Sequence, residues 1–155
     1  MEGEIFMKNV LTALTTGLVM MASTVCYATI PGTDIAVSGV APGSSVTDAR
    51  AKLGDPVTSH GDKLVFPNNI IVECAEYNYD LIEEIGTRSA GNVTSAGLQV
   101  GMPEASIMAA YGAPDKVDRD PDDTEYTYYS SGQDKKMEIE VVDGKIVKIK
   151  CKIRD

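Results

Sequence analysis

Apolar residues are distributed along this chain in three distinct ways. From Val10 to Val25 they dominate an uncharged run of 16 residues (VLTALTTGLVMMASTV). Further on they recur twice at helical spacing, as Val46, Ala49 and Leu53 and again as Ile107, Ala110 and Tyr111. After each of these they alternate, which predicts strands. In the second half the strands are Thr124–Tyr129, Met137–Val142 and Lys145–Ile153. In the first half they are 64–66, 70–77 and 81–87, less regular in pattern. Neither half shows the helix–strand alternation of a parallel βαβ fold. The expected class is therefore α+β, with a short helical element packed on an antiparallel sheet in each half.

The two halves also align with each other. The segment 40–56 lies over 98–114 without a gap at an offset of 58 residues, matching Gly43 to Gly101, Ala51 to Ala109, Leu53 to Tyr111, Gly54 to Gly112 and Pro56 to Pro114. Each match has a local reason. Ser44 or Ser45 can cap a helix start, and Pro103 suits a first helical position, where its missing N–H would lack a partner anyway. Gly54 and Gly112 can take the left-handed conformation that ends a helix, and a proline two residues later prevents its continuation. Two tandem repeats are expected, residues 29–88 and 98–155, joined by a small, polar linker at 89–97.

The closing hairpin tests the alternation. Met137, Ile139 and Val141 share one face, and Val147, Ile149, Cys151 and Ile153 share another. A two-residue Asp143-Gly144 loop with regular pairing would set Ile139 opposite Lys148. A three-residue loop, Val142-Asp143-Gly144, pairs Ile139 with Val147 and is the expectation on this pattern.

The run Val10–Val25 follows Met7-Lys8-Asn9 and ends in Cys26-Tyr27-Ala28, small residues at −3 and −1. That is the layout of a secretory signal peptide cut after Ala28, and the run is shorter than the roughly 20 residues that span a membrane. Cys26 follows Val25, where acylation sites carry Gly, Ala or Ser, which argues against a lipid anchor. Residues 1–6 fit neither a leader nor a domain. Because Glu2-Gly3-Glu4 can be encoded by a purine-rich ribosome-binding run, translation is expected to begin at Met7.

Charge narrows the partners. The whole chain has a net charge of −9, and removing the leader with Glu2, Glu4 and Lys8 leaves 21 acidic against 13 basic residues, a net of −8. Nucleic acid and anionic lipid are poor partners for such a surface. Cys74 and Cys151, one in each half, are either bridged in an exported compartment or packed as small buried thiols. Asp118, Asp120 and Asp122 begin like a calcium loop, but Asp123 and Tyr129 stand where that motif needs Gly and Glu, leaving a solvated acidic turn as the competing reading. His60 is the single histidine, and no phosphate-loop spacing or paired-cysteine motif accompanies it, so no enzyme activity and no cofactor are expected. Asn92-Val-Thr94 is a glycosylation sequon. Tyr126 and Tyr128 are expected in the core. Tyr77 and Tyr129, with the acidic strand residues Glu73, Glu76, Glu83 and Glu84, are the candidate binding surface.

Leu98-Gln-Val-Gly101-Met102, the helix ending Tyr111-Gly112-Ala-Pro114, Tyr126-Thr-Tyr128 and Val141-Val-Asp-Gly144-Lys-Ile-Val-Lys-Ile149 together resemble the SmpA/OmlA outer-membrane lipoproteins and β-lactamase-inhibitor protein. The likeness covers nearly all of the second repeat and the helical half of the first. It is also similar to tandem secreted proteins of unknown function in Firmicutes. It implies a secreted or periplasmic, non-enzymatic module that binds a protein through the sheet face of its repeats. An inhibitor of an extracellular or periplasmic hydrolase, or an envelope assembly factor, are the alternatives it allows. After export the chain should begin at Thr29; intact-mass analysis of secreted material that found Met1 or an acylated Cys26 would contradict the leader.

Overall fold

The computed structural model describes residues 29–154; the expected leader and its processing site at Ala28 lie outside them. Helix α1 (Val46–Leu53) precedes strands β1 (Thr58–His60), β2 (Lys63–Phe66), β3 (Ile70–Ala75) and β4 (Asn78–Thr87). Helix α2 (Ala105–Tyr111) precedes β5 (Lys116–Arg119), β6 (Thr124–Tyr129), β7 (Lys135–Val142) and β8 (Lys145–Ile153). The eight strands form a single antiparallel sheet in the order β1-β2-β3-β4-β8-β7-β6-β5. The α+β class is as expected. Each half has four strands where the apolar pattern indicated three, because β1 and β5 are short edge strands with almost no buried residue to mark them.

The helices and the 30–46 segment cover one face of the sheet. Val46 and Ala49 from α1, Ile107 and Tyr111 from α2, and Ile30, Ile35, Val37 and Val40 join Phe66, Ile85, Tyr128, Ile139 and Ile149 in one hydrophobic cluster. Tyr126 and Tyr128 are buried as expected. Tyr128 donates its hydroxyl to the Gly112 carbonyl at 2.9 Å and packs its ring 5.5 Å from that of Tyr111, so α2 is tied to β6 at its C-terminal end. The same burial pushes the Tyr128 phenol up to about 12.

Helix ends follow the sequence with two differences. Ser45 caps α1, accepting from the Asp48 N–H. In the second half Pro103 precedes the helix by two residues, and Glu104 already has helical backbone angles. The closing glycines are at φ 85°, ψ −173° (Gly54) and φ 70°, ψ −153° (Gly112), not in the left-handed helical basin. That extended region at positive φ is open to glycine almost alone. Each glycine N–H still closes the last turn, onto Arg50 O and Met108 O.

The β7–β8 hairpin departs from the expected three-residue turn. Val142 pairs with Lys145, leaving a two-residue Asp143-Gly144 loop with φ of 49° and 71°. Two positive φ values make the turn whose twist matches that of the strands. A bulge then slips the register: Val141 pairs with Ile146, but Glu140 pairs with Lys148 and Ile139 with Ile149. Val147 is the extra residue, and Ile146 takes the core position assigned to it. The apolar faces do coincide, by a bulge and not by a longer loop.

Of the two alternatives for Cys74 and Cys151 the bridge is not formed, and both residues are buried free thiols. Cys74 on β3 pairs with Ile82, and Cys151 on β8 pairs with Ile85, so β4 stands between them. Two strand spacings are about 9–10 Å, beyond the roughly 7 Å that a disulfide can bridge. The 89–97 linker is likewise anchored, since buried Asn92 donates to Asn68 O at 2.9 Å and to Thr87 Oγ1 at 2.8 Å. That burial closes the sequon to a glycan.

Replacing Gly54 or Gly112 by valine should destabilise the fold by about 1 kcal/mol or more each, from backbone strain alone at Gly54, where no atom stands within 4 Å of a Cβ. Unchanged thermal melts for both variants would contradict this account of the helix ends.

Candidate functional site

The sheet face opposite the core is polar and carries no helix among the described residues. Alternation puts Lys63, Glu73, Glu84, Lys150, Glu138 and Lys136 on it, and pairing across strands sets opposite charges side by side. Lys63 contacts Glu73 at 2.8 Å, Lys150 contacts Glu138 at 3.1 Å and Glu84 at 3.7 Å, and Lys136 contacts Glu138 at 2.5 Å. Lys152 approaches Glu138 at 3.6 Å, and Glu140 takes Lys148 and Arg88 at 3.6 and 3.3 Å. The network crosses β4, β8 and β7 without interruption.

Glu138 is its centre. It is only 7% exposed although it lies on the uncovered face, because the stems of three lysines surround it. Burial pushes its carboxyl up, but hydrogen bonds from Lys136 and Lys150 and the charges of Lys150 and Lys152 outweigh that and hold it below the usual range. Glu125 sits at the margin, opposite Glu140 on β7. Burial and the charge of Glu138 raise its carboxyl, with the lysines offsetting them only in part.

At the β3–β4 end of this face the four expected glutamates come together. Glu73, Glu76, Glu83 and Glu84 line an open cavity of about 340 Å³ with Asp62, Cys74 and Lys152. Two local features put them there. Glu76 and Tyr77 form the tight turn between β3 and β4. A bulge in β4 leaves Glu83 unpaired, since Glu73 pairs with Glu84 and Cys74 with Ile82. Tyr77 stands beside the groove at 80% exposure and Tyr79 at 63%. Cys74 forms part of the wall; burial and the neighbouring acidic charges raise its thiol, so it is an unreactive wall.

One expectation changes. Tyr129 is not a free aromatic: it is half-buried in the other half of the sheet, with the Arg154 guanidinium 4.2 Å above its ring. Asp118, Asp120 and Asp122 do not converge on a cation. Asp118 pairs with Lys116 at 2.6 Å, the Asp120 N–H donates to Asp123 O in the β5–β6 turn, and Asp122 points to solvent. Among the described residues no three acidic, histidine or cysteine side chains are placed to hold a metal. His60 is exposed on β1. The lysines around Glu138 are not among the expected site residues, though charged residues at every second position of the facing segments 136–140 and 148–152 are their sequence signal.

No family model matches the chain, and no curated protein does. Among solved structures it is similar to YjgB, a DUF4309 family protein from Bacillus subtilis, at 16% identity and a TM-score of 0.50, over 72% of this chain and 79% of that one. A cysteine-rich secretory protein from Staphylococcus aureus aligns at 11% identity and a TM-score of 0.46, over 83% of this chain and 49% of that one. The first likeness concerns the fold alone. Among the described residues no helix is long and apolar enough to cross a membrane.

Glu138 has a lowered carboxyl pKa in the fold, so its stabilisation is present above the unfolded carboxylate range and is lost as pH falls through the folded value. Glu125 has the opposite sign, and the stability it withholds when ionised returns as pH falls through its raised value. Glu138→Gln should therefore cost about 2 kcal/mol at neutral pH, whereas Glu125→Gln should be neutral or slightly stabilising. Chemical denaturation of both variants between pH 3 and 7 checks the two signs.

Proposed function

We propose that this chain is an exported, non-enzymatic module that binds a basic protein partner through the open face of its sheet. The observation that carries the reading is the groove at the β3–β4 end, where Glu73, Glu76, Glu83 and Glu84 line one cavity beside exposed Tyr77. Five carboxylates line the groove with Lys152, and Lys63 and Lys150 pair with Glu73 and Glu84 from outside it. The balance is about −2 and Glu76 and Glu83 have no ion-pair partner among the described residues, which favours and steers a cationic surface. A large exposed aromatic next to carboxylates adds apolar area and a face for a lysine or arginine side chain. The ionic network behind the groove keeps the face rigid and polar.

On this reading the two halves are duplicated units. Support comes from the 58-residue offset and from the element order, a helix followed by four strands in each half. Export is supported by the N-terminal apolar run and its small-x-small end. The likeness to the SmpA/OmlA and β-lactamase-inhibitor families rests on the sequence motifs, and inhibition of an extracellular hydrolase is the narrower form of the same binding function.

With the partner captured from the native envelope, Tyr77→Ala should weaken binding by about 2 kcal/mol, and Tyr129→Ala should act on stability instead. Association should slow steeply as salt rises. Full affinity in Tyr77→Ala together with a salt-independent association rate would exclude this face.

A further inference from the structure

Away from the open face, a cavity of about 320 Å³ lies between the loop at 39–44, Thr33, Lys52 of α1 and Lys135 at the start of β7. Lys52 and Lys135 are the only charged groups lining it. Lys63, Lys116, Lys136, Lys148, Lys150 and Lys152 all have a carboxylate within 4.0 Å. These two, like Lys145, have none among the described residues, in a chain whose acidic residues outnumber its basic ones 23 to 14. Instead each ammonium rests on a backbone carbonyl, Lys52 Nζ on Gly39 O at 2.5 Å and Lys135 Nζ on Gly32 O at 3.4 Å. Asp134, the residue before Lys135, accepts from Ser130 Oγ at 2.8 Å and stands near the Lys135 ammonium without a contact inside 4.0 Å.

A Cβ on Gly43 would stand 3.7 Å from both Cε and Nζ of Lys135, filling the space beside the ammonium, and Gly39 and Gly43 hold φ of 77° and 87°. The site exists only in the tertiary structure, since 103 residues separate Lys135 from Gly32. We propose that this cavity binds a phosphate group. Two lysines lining one cavity with no acidic side chain in its wall match a dianion, lysine serves phosphate as a point charge, and a phosphate oxygen is a stronger acceptor than the carbonyls it would displace. The phosphate belongs either to a soluble ester or to a lipid headgroup.

Titration of the ¹⁵N-labelled protein with inorganic phosphate, against sodium chloride at matched ionic strength, tests the site. Saturable amide shifts at Gly39, Gly43 and Ser44 are expected, with a dissociation constant on the order of 1 mM. In Lys52→Gln/Lys135→Gln the affinity should fall roughly tenfold or more, a loss of about 1.4 kcal/mol, with the remaining spectrum unchanged. The exposed Lys52→Gln single change serves as the second variant should the double one fail to fold. Shifts no larger than those with chloride, or undiminished binding in the variants, would overturn the proposal. Co-sedimentation with phosphatidylglycerol vesicles that the variants abolish would assign the phosphate to a headgroup. A phosphate response without vesicle binding would assign it to a soluble ester.

Discussion

Everything else in this molecule depends on the pairing of β4 with β8. Four residue pairs, Glu84 with Lys152, Ile85 with Cys151, Gly86 with Lys150 and Thr87 with Ile149, join strands that close the two halves of the chain. Without that seam there would be two four-stranded sheets, each with an extra open edge and half a core. With it, Ile85 and Cys151 are fully buried in one continuous cluster. Gly86 is the residue the seam requires: a Cβ there would come within 3.0 Å of the Ile149 carbonyl. Any side chain at that position would press on the neighbouring backbone and require the two strands to give by a few tenths of an ångström.

The seam also makes the open face. Glu84 reaches Lys150 only because β4 lies beside β8, and Lys150 in turn reaches Glu138 on β7. Individual ion pairs at a surface contribute little. Here neighbouring lysine stems shield Glu138, so the network fixes side-chain positions across three strands. The acidic groove lies at one end of this ordered array, where the β3–β4 turn and the β4 bulge project carboxylates that no lysine fully neutralises. Paired groups therefore occupy the middle of the surface and the unpaired carboxylates Glu76 and Glu83 its margin, with Glu73 and Glu84 belonging to both.

Much of the fold was legible along the chain. Strands β6 and β8 were bounded correctly, because long alternation and an Asp-Gly turn leave little freedom. Both helices were placed by apolar spacing and by the glycines that end them. What escaped had no local signature. Strands β1 and β5 bury almost nothing, and the 30–40 segment reaches the core without periodicity. At the β7–β8 hairpin the requirement that both apolar faces coincide was read correctly, but turn geometry and a bulge met it where an extra loop residue was expected.

By itself the sequence determined the α+β class, the helix–strand division of each half, the burial of Tyr126 and Tyr128, and the acidic residues from which the groove is made. Those depend on periodicity, on glycine and proline conformation and on composition, which act over a few residues. Tertiary structure alone decided which strands meet. It placed β4 between Cys74 and Cys151 and so prevented their bridge. It laid Arg154 over Tyr129 while leaving Tyr77 exposed, and it brought Lys135 to a loop about a hundred residues away. Contacts between residues so far apart are set by the packing of whole faces, and alternation within one strand names its buried side without naming the strand that will lie beside it.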